Sequence, residues 1–122
     1  MHAVKIKIQI TSGNDIAFGP GKADLLEAIG RYGSISAAAK SMNMSYKRAW
    51  ELVAVINASF KQPLVVTSVG GSHGGGAILT EFGFEVLRLY REVLAKSDQF
   101  VLSEMQNLLS MLSALPNPDL TS

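Results

Sequence analysis

The amino-acid sequence predicts a mostly α fold with small β elements, an α+β chain, on three observations. Between Gly33 and Phe60 two helix-compatible stretches, ISAAAKSM and YKRAWELVAVINASF, flank a break at Asn43. Leu64-Val65-Val66-Thr67 and Ala77-Ile78-Leu79 are short aliphatic runs separated by the glycine-rich stretch Gly70-Gly71-Ser72-His73-Gly74-Gly75-Gly76. From Glu81 onward, apolar residues recur at helical spacing to about Ala114. Together these predict a winged helix-turn-helix with an amino-terminal β-hairpin over residues 1–80. A long dimerisation helix is expected at 81–115 and a flexible tail at 116–122.

Taken in order, Val4, Ile6, Ile8 and Ile10 alternate with Lys5, Lys7 and Gln9, the period of a half-buried strand. Ser12-Gly13-Asn14-Asp15 is turn chemistry, and Ile16-Ala17-Phe18 returns as the second strand of a hairpin. Past Gly19-Pro20-Gly21, the spacing of Leu25, Leu26, Ile29 and Tyr32 gives a first helix ending near Gly33. Ser34 is placed to cap a second helix running to Met42, and Ala37-Ala38-Ala39 lets another helix approach closely. Asn43 then stands where the turn needs a residue that tolerates positive φ, and Met44 plugs that turn into the core.

Ser45 is the expected cap of the third helix, with Ala49, Leu52, Val53 and Ile56 inward and Tyr46, Lys47, Arg48 and Glu51 outward. Trp50 is read as a core or bracing residue under that helix. The two aliphatic runs form a wing, with the glycines at its tip. Thr80 caps the next helix and Glu81 suits its first turn. Unbroken from Glu81 to about Ala114, that helix would be roughly 50 Å long at 1.5 Å per residue. A domain of this size cannot bury it alone, so a homodimer through it is expected. Pro116 and Pro118 mark the frayed end.

Composition removes several function classes. The 122 residues contain no cysteine, which excludes disulfides, thiolate catalysis and cysteine-based metal sites and suits a reducing interior. No stretch reaches the roughly 20 apolar residues of a membrane span, and the start has no basic-then-apolar leader, so a cytoplasmic chain is expected. His2 and His73 are too few and too far apart for a metal site. No paired carboxylates or nucleophile and base stand at catalytic spacing, so no enzyme and no cofactor are expected. The glycine run also fails as a phosphate-binding loop, because Ala77-Ile78-Leu79 follows it where Lys-Ser or Lys-Thr and a helix are required.

The net charge is only +1, but it is unevenly spread. Residues 22–61 carry six basic and three acidic side chains, and residues 81–122 carry three basic and six acidic ones. A mildly cationic middle with Tyr46-Lys47-Arg48 opening a helix points to double-stranded DNA as the partner. Ser34, Ser36, Lys40, Ser45, Lys47 and Lys61 are candidates for phosphate and backbone contact. Arg48 is the favoured base reader, because a guanidinium pairs with both acceptors of guanine. Tyr46 suits a sugar-phosphate or a thymine methyl, Lys47 suits either a phosphate or a base contact, Glu51 shares the outward face, and Ser72 and His73 sit at the wing tip.

The segments GSISAAAKSMNMSYKRAWELV and GGSHGGGAILTEFG resemble the amino-terminal DNA-binding domain of ModE-type molybdate-dependent transcriptional regulators, whose helix-turn-helix is related to that of LysR-type regulators. Ser45-Tyr46-Lys47, Ala49-Trp50 and the wing ending in Ala77-Ile78-Leu79-Thr80 are the most specific parts. The resemblance implies a homodimer on a palindromic operator upstream of molybdate-transport or molybdoenzyme genes. Its full-length members bind molybdate through carboxy-terminal β-barrels, which are expected to be absent here, leaving a separate molybdate-binding partner as a candidate source of signal. Where the family's wing tends to carry a lysine, this one has Ser72 and His73. The alternative function is a dimerising interaction module that pairs with a separate sensor or a full-length regulator.

Overall fold

The computed structural model describes residues 2–69 and 75–113. It opens with a hairpin of β1 (Ile10–Ser12) and β2 (Asp15–Phe18), followed by helices α1 (Pro20–Tyr32), α2 (Ile35–Ser41) and α3 (Tyr46–Ser59). A second antiparallel hairpin, β3 (Val65–Thr67) with β4 (Ala77–Leu79), precedes α4 (Glu81–Glu104) and the short α5 (Gln106–Leu109). This is the expected winged helix-turn-helix with its amino-terminal hairpin.

The signals that place the helices are local. Ser34, Ser45 and Thr80 each cap a helix by accepting from an amide in its first turn, that of Ala37, Arg48 and Gly83. Pro20 opens α1, where its missing N–H costs nothing, and Gly33 closes it at φ +76°. Asn43, at φ +54°, makes the left-handed turn between α2 and α3. One core joins these elements, built from Phe18, Leu25, Leu26, Ile29, Ile35, Ala38, Ala49, Val53, Ile56, Leu64 and Leu79.

The first half of α4 packs on that core through buried Tyr90 and through Phe82, Val86, Leu87 and Leu94. Phe18 meets Phe60 edge-on at 5.5 Å and Tyr90 at 5.1 Å, and Phe60 meets Phe82 at 6.4 Å, so a chain of rings ties β2, the end of α3 and α4 together. The Tyr90 hydroxyl donates to the Ile8 carbonyl at 2.7 Å, and burial pushes its pKa up. Arg91 adds a surface link by pairing with Asp24 of α1 at 2.9 Å.

Two elements differ from expectation. The stretch from Val4 to Gln9 is not a strand: pairing begins only at Ile10, which is 50% exposed, and a bulge follows it. The alternation survives as packing, with Val4, Ile6 and Ile8 half-buried, because the Ile8 carbonyl is claimed by Tyr90 rather than by a neighbouring strand. The long helix is also interrupted at Met105. Around the break, Ser103 donates to the Phe100 carbonyl, Gln106 to the Leu102 carbonyl and Ser110 to the Asn107 carbonyl, polar competition that weakens the ladder. The 24 residues of α4 give about 36 Å of helix in place of 50 Å.

Candidate nucleic-acid interface

The geometry of α3 sorts its side chains. Ala49, Val53 and Ile56 are buried, so at about 100° per residue the opposite face carries Lys47, Glu51, Ala54 and Ala58, all exposed. Tyr46 and Trp50 fall on one flank of that face, and Arg48 and Val55 fall on the other.

The flank of Tyr46 and Trp50 opens into a cleft of about 900 Å³ between α2, the start of α3 and the wing. Ser34, Ser36 and Lys40 line it from α2, and Thr67, Ser68 and Val69 from the wing. Among the described residues, no acidic side chain lines it. Its two walls are bolted together: the Ala77 amide donates to the Gly33 carbonyl at 2.8 Å, and Ser68 exchanges hydrogen bonds with Gly76, amide to carbonyl at 2.9 Å and amide to hydroxyl at 3.2 Å. The base of β3 is fixed separately by Asn57 of α3, whose side chain donates to the Val65 carbonyl and accepts from the amides of Leu64 and Val65. The wing is therefore held at a set distance from α3.

Ser34, Ser36, Lys40 and Tyr46 thus come together as expected from sequence. Lys47 and Glu51 stand beside them on the outward face, and Ser45 is occupied in capping. Arg48 is not with them: it sits on the far flank and lines a second cleft, beneath the amino-terminal hairpin. Its guanidinium therefore stands at the edge of the outward face and not at its centre. Lys61 lies beyond the carboxyl end of α3, about 20 Å along that helix from Tyr46, and lines neither cleft. Ser72 and His73 lie outside the described residues.

The role expected for Trp50 is corrected. Its side chain is 54% exposed and forms part of the cleft wall, so it neither fills the core nor braces α3 from below. The spacing from Tyr46 held the signal, because residues four apart share a helix face. Among the described residues, no group of acidic side chains or histidines could hold a metal ion, and no helix is long and apolar enough to cross a membrane.

The helix-turn-helix with an adjoining β-hairpin wing, and a cleft along its third helix that no acidic side chain lines among the described residues, defines the class of fold as a winged helix-turn-helix. Residues 22–84 match the bacterial regulatory helix-turn-helix proteins of the lysR family, and the chain belongs to that family. It is 39% identical over 93 residues to the molybdenum transport protein ModE of Azotobacter vinelandii, covering 75% of this chain and 34% of that protein. It is 40% identical over 80 residues to the DNA-binding transcriptional dual regulator ModE of Escherichia coli strain K12, covering 66% of this chain and 30% of that protein. The resemblance to ModE-type regulators is borne out, and the chain spans about a third of the length of these relatives. The crystal structure of ArgP from Mycobacterium tuberculosis superposes with a TM-score of 0.50 at 23% identity, over 71% of this chain and 30% of that one, a likeness of fold.

Proposed function

We propose that this chain is a sequence-specific DNA-binding transcriptional regulator that acts as a homodimer on a palindromic operator, linked to molybdate transport or molybdoenzyme genes. The observation that carries this reading is the cleft between α2, α3 and the wing, free of acidic side chains among the described residues, with Lys40, Ser36, Tyr46 and Trp50 on its walls. Phosphates of one strand are assigned to Ser34, Ser36, Lys40 and the capped start of α3 at Ser45, with Ser72 and His73 as further contacts from the wing. Lys47 and Glu51, at the centre of the outward face, are assigned to base edges. Lys61 is assigned to the backbone beyond the far end of α3. Residues 1–80 form the DNA-binding unit and α4 the dimerisation helix in this reading.

Support for the homodimer comes from α4. Leu89, Val93 and Phe100 lie within about 40° of one another around the helix and are 46%, 51% and 66% exposed. A second copy covers this stripe and presents two α3 helices to successive major grooves, about 34 Å apart or a multiple of that. The likeness to the molybdenum transport protein ModE and its relatives motivates the link to molybdate, and a separate molybdate-binding protein is the proposed source of the signal.

Fluorescence-anisotropy titration of an operator-like and a scrambled duplex, at two salt concentrations and with or without molybdate, tests the reading. Tight, salt-sensitive preference for the operator-like duplex, unchanged by molybdate, is the expected result. Failure to bind either duplex at physiological salt would turn the assignment to a protein-interaction module that pairs with a sensor or a full-length regulator.

A further inference from the structure

The second cleft has no part in that assignment. It is an open cleft of about 390 Å³ bounded by the amino-terminal hairpin, the start of α1, the α2–α3 turn and the hairpin-side flank of α3. Three cations line it, Lys7, Lys22 and Arg48, and among the described residues no acidic side chain does. None of the three takes part in an ion pair among the described residues. Lys22 is half-buried, and its ammonium is fixed by donating to the Ile16 carbonyl at 2.7 Å. Burial first, and the charge of Arg48 second, hold its pKa below the ordinary lysine value, against a smaller opposing effect of Asp15. Like charges gathered in a partly desolvated cleft, which Asp15 offsets only in part, repel one another, and an anion relieves that repulsion.

The position of the cleft identifies the anion. A helix of about 10–12 Å diameter nearly fills a major groove of about 12 Å, so each flank of an inserted helix faces one sugar-phosphate strand. The wing-side flank of α3 has Ser36 and Lys40 to meet its strand. The other flank has Arg48, with Lys22 and Lys7 behind it. Lys7 lies in the segment that leads into the amino-terminal hairpin, outside residues 22–84 that match the family.

We propose that Lys7, Lys22 and Arg48 form a second phosphate-binding wall, by which the segment before the amino-terminal hairpin, the start of α1 and the hairpin-side flank of α3 grip the DNA strand opposite the one held by α2 and the wing. The proposal rests on the reading of the protein as a DNA binder. Its ligand is the phosphodiester of duplex DNA, and inorganic phosphate is the competing source of the same oxyanion chemistry.

The test measures binding of the full chain to the operator-like and scrambled duplexes over a range of salt, for the unaltered protein, Lys7→Ala, Lys22→Met, Lys22→Arg and, as a control outside the cleft, Lys96→Gln. Each lost phosphate contact lowers the magnitude of the slope of log K against log salt by about 0.9, so about 1.8 per substitution in a dimer. Lys7→Ala and Lys22→Met are expected to show that loss on both duplexes alike, Lys22→Arg to restore the slope, and Lys96→Gln to leave it unchanged. Unchanged slopes for both variants, while the unaltered protein still binds, would overturn the wall and leave the DNA-binding reading standing. Weakening of the operator-like duplex alone would overturn it in favour of base reading. A Lys22→Met loss that Lys22→Arg does not repair would remove Lys22 by assigning its role to the Ile16 hydrogen bond. Millimolar inorganic phosphate shifting the Lys7 and Lys22 resonances, without any change in DNA slope in the variants, would assign the cleft to a free oxyanion. No binding by the unaltered protein fails both readings together.

Discussion

Gly83 shows how much one missing methyl can fix. It is buried in the first turn of α4, and a Cβ placed there would run into the Leu64 carbonyl and its backbone neighbours. The close approach lets Thr80 cap α4 while its own hydroxyl donates to the Pro63 carbonyl at 2.8 Å and its amide donates to the Leu64 carbonyl at 3.0 Å. Gly83→Ala must push β3 away from α4, and chemical denaturation is expected to show a loss of roughly 1–3 kcal/mol. Trp50→Ala is expected to behave in the opposite way: with its ring exposed, stability changes by no more than about 0.5 kcal/mol while duplex affinity falls. A loss of stability in the kcal/mol range would return Trp50 to the bracing role its sequence context suggested. Arg48→Ala should weaken operator-like and scrambled duplexes by the same factor, and relaxed preference at a single base pair would instead make it a base reader. Capping serines and the left-handed Asn43 were legible from sequence because each acts within a few residues of itself. The neighbours of Arg48 were not, because Lys7 and Lys22 reach it only once the hairpin has docked.

Among the elements, α4 does two jobs. Tyr90, Leu87 and Leu94 hold it to the winged core, while Leu89, Val93 and Phe100 remain uncovered. Val93→Glu puts a charge in the proposed seam at a side chain that is 51% exposed and outside the packed core, so sedimentation is expected to show a folded monomer where a dimer is expected of the unaltered chain. A dimer that persists would place the pairing surface elsewhere. On the solvent side, Arg88 bridges Glu85 and Glu92, and Lys96 pairs with Glu92. A hydrogen bond from Arg88 chiefly holds the Glu85 carboxyl below its usual range, and one from Lys96 chiefly does so for Glu92. A carboxyl depressed in the folded state adds stability that is complete above its unfolded pKa and is lost as pH falls through its folded pKa. Acidification below the ordinary glutamate range should therefore reduce helical circular dichroism slightly, and Glu92→Gln should remove part of that response; these pairs are exposed, so the effect is small. Periodicity announced α4 from Glu81 onward, but it could not reveal the break at Met105, where polar side chains compete for carbonyls that an apolar pattern does not record. The same limit applies to Val4 to Ile8, whose alternation describes a buried edge equally well whether the partner is a strand or the side of α4.

At the scale of the whole molecule, charge and symmetry combine. The basic side chains of residues 22–61 lie on the winged unit, and α4 carries the acidic excess, so a dimer built through α4 keeps its cations at the two DNA-facing ends. In that arrangement each subunit neutralises its own set of phosphates, and the two sets act on one duplex only while the seam holds. The slope of log K against log salt for the operator-like duplex is then the sum over both subunits, at about 0.9 per phosphate neutralised. Val93→Glu leaves every DNA-facing residue in place and removes only the coupling between sets. The expected outcome is a slope of about half that of the unaltered protein, with the preference for operator-like over scrambled DNA sharply reduced, because a single α3 reads one half-site. An unaltered slope in a chain shown by sedimentation to be monomeric would mean that one subunit already makes all the phosphate contacts. Recognition would then belong to a single winged unit, and the apolar stripe of α4 would be left to pair with a different protein.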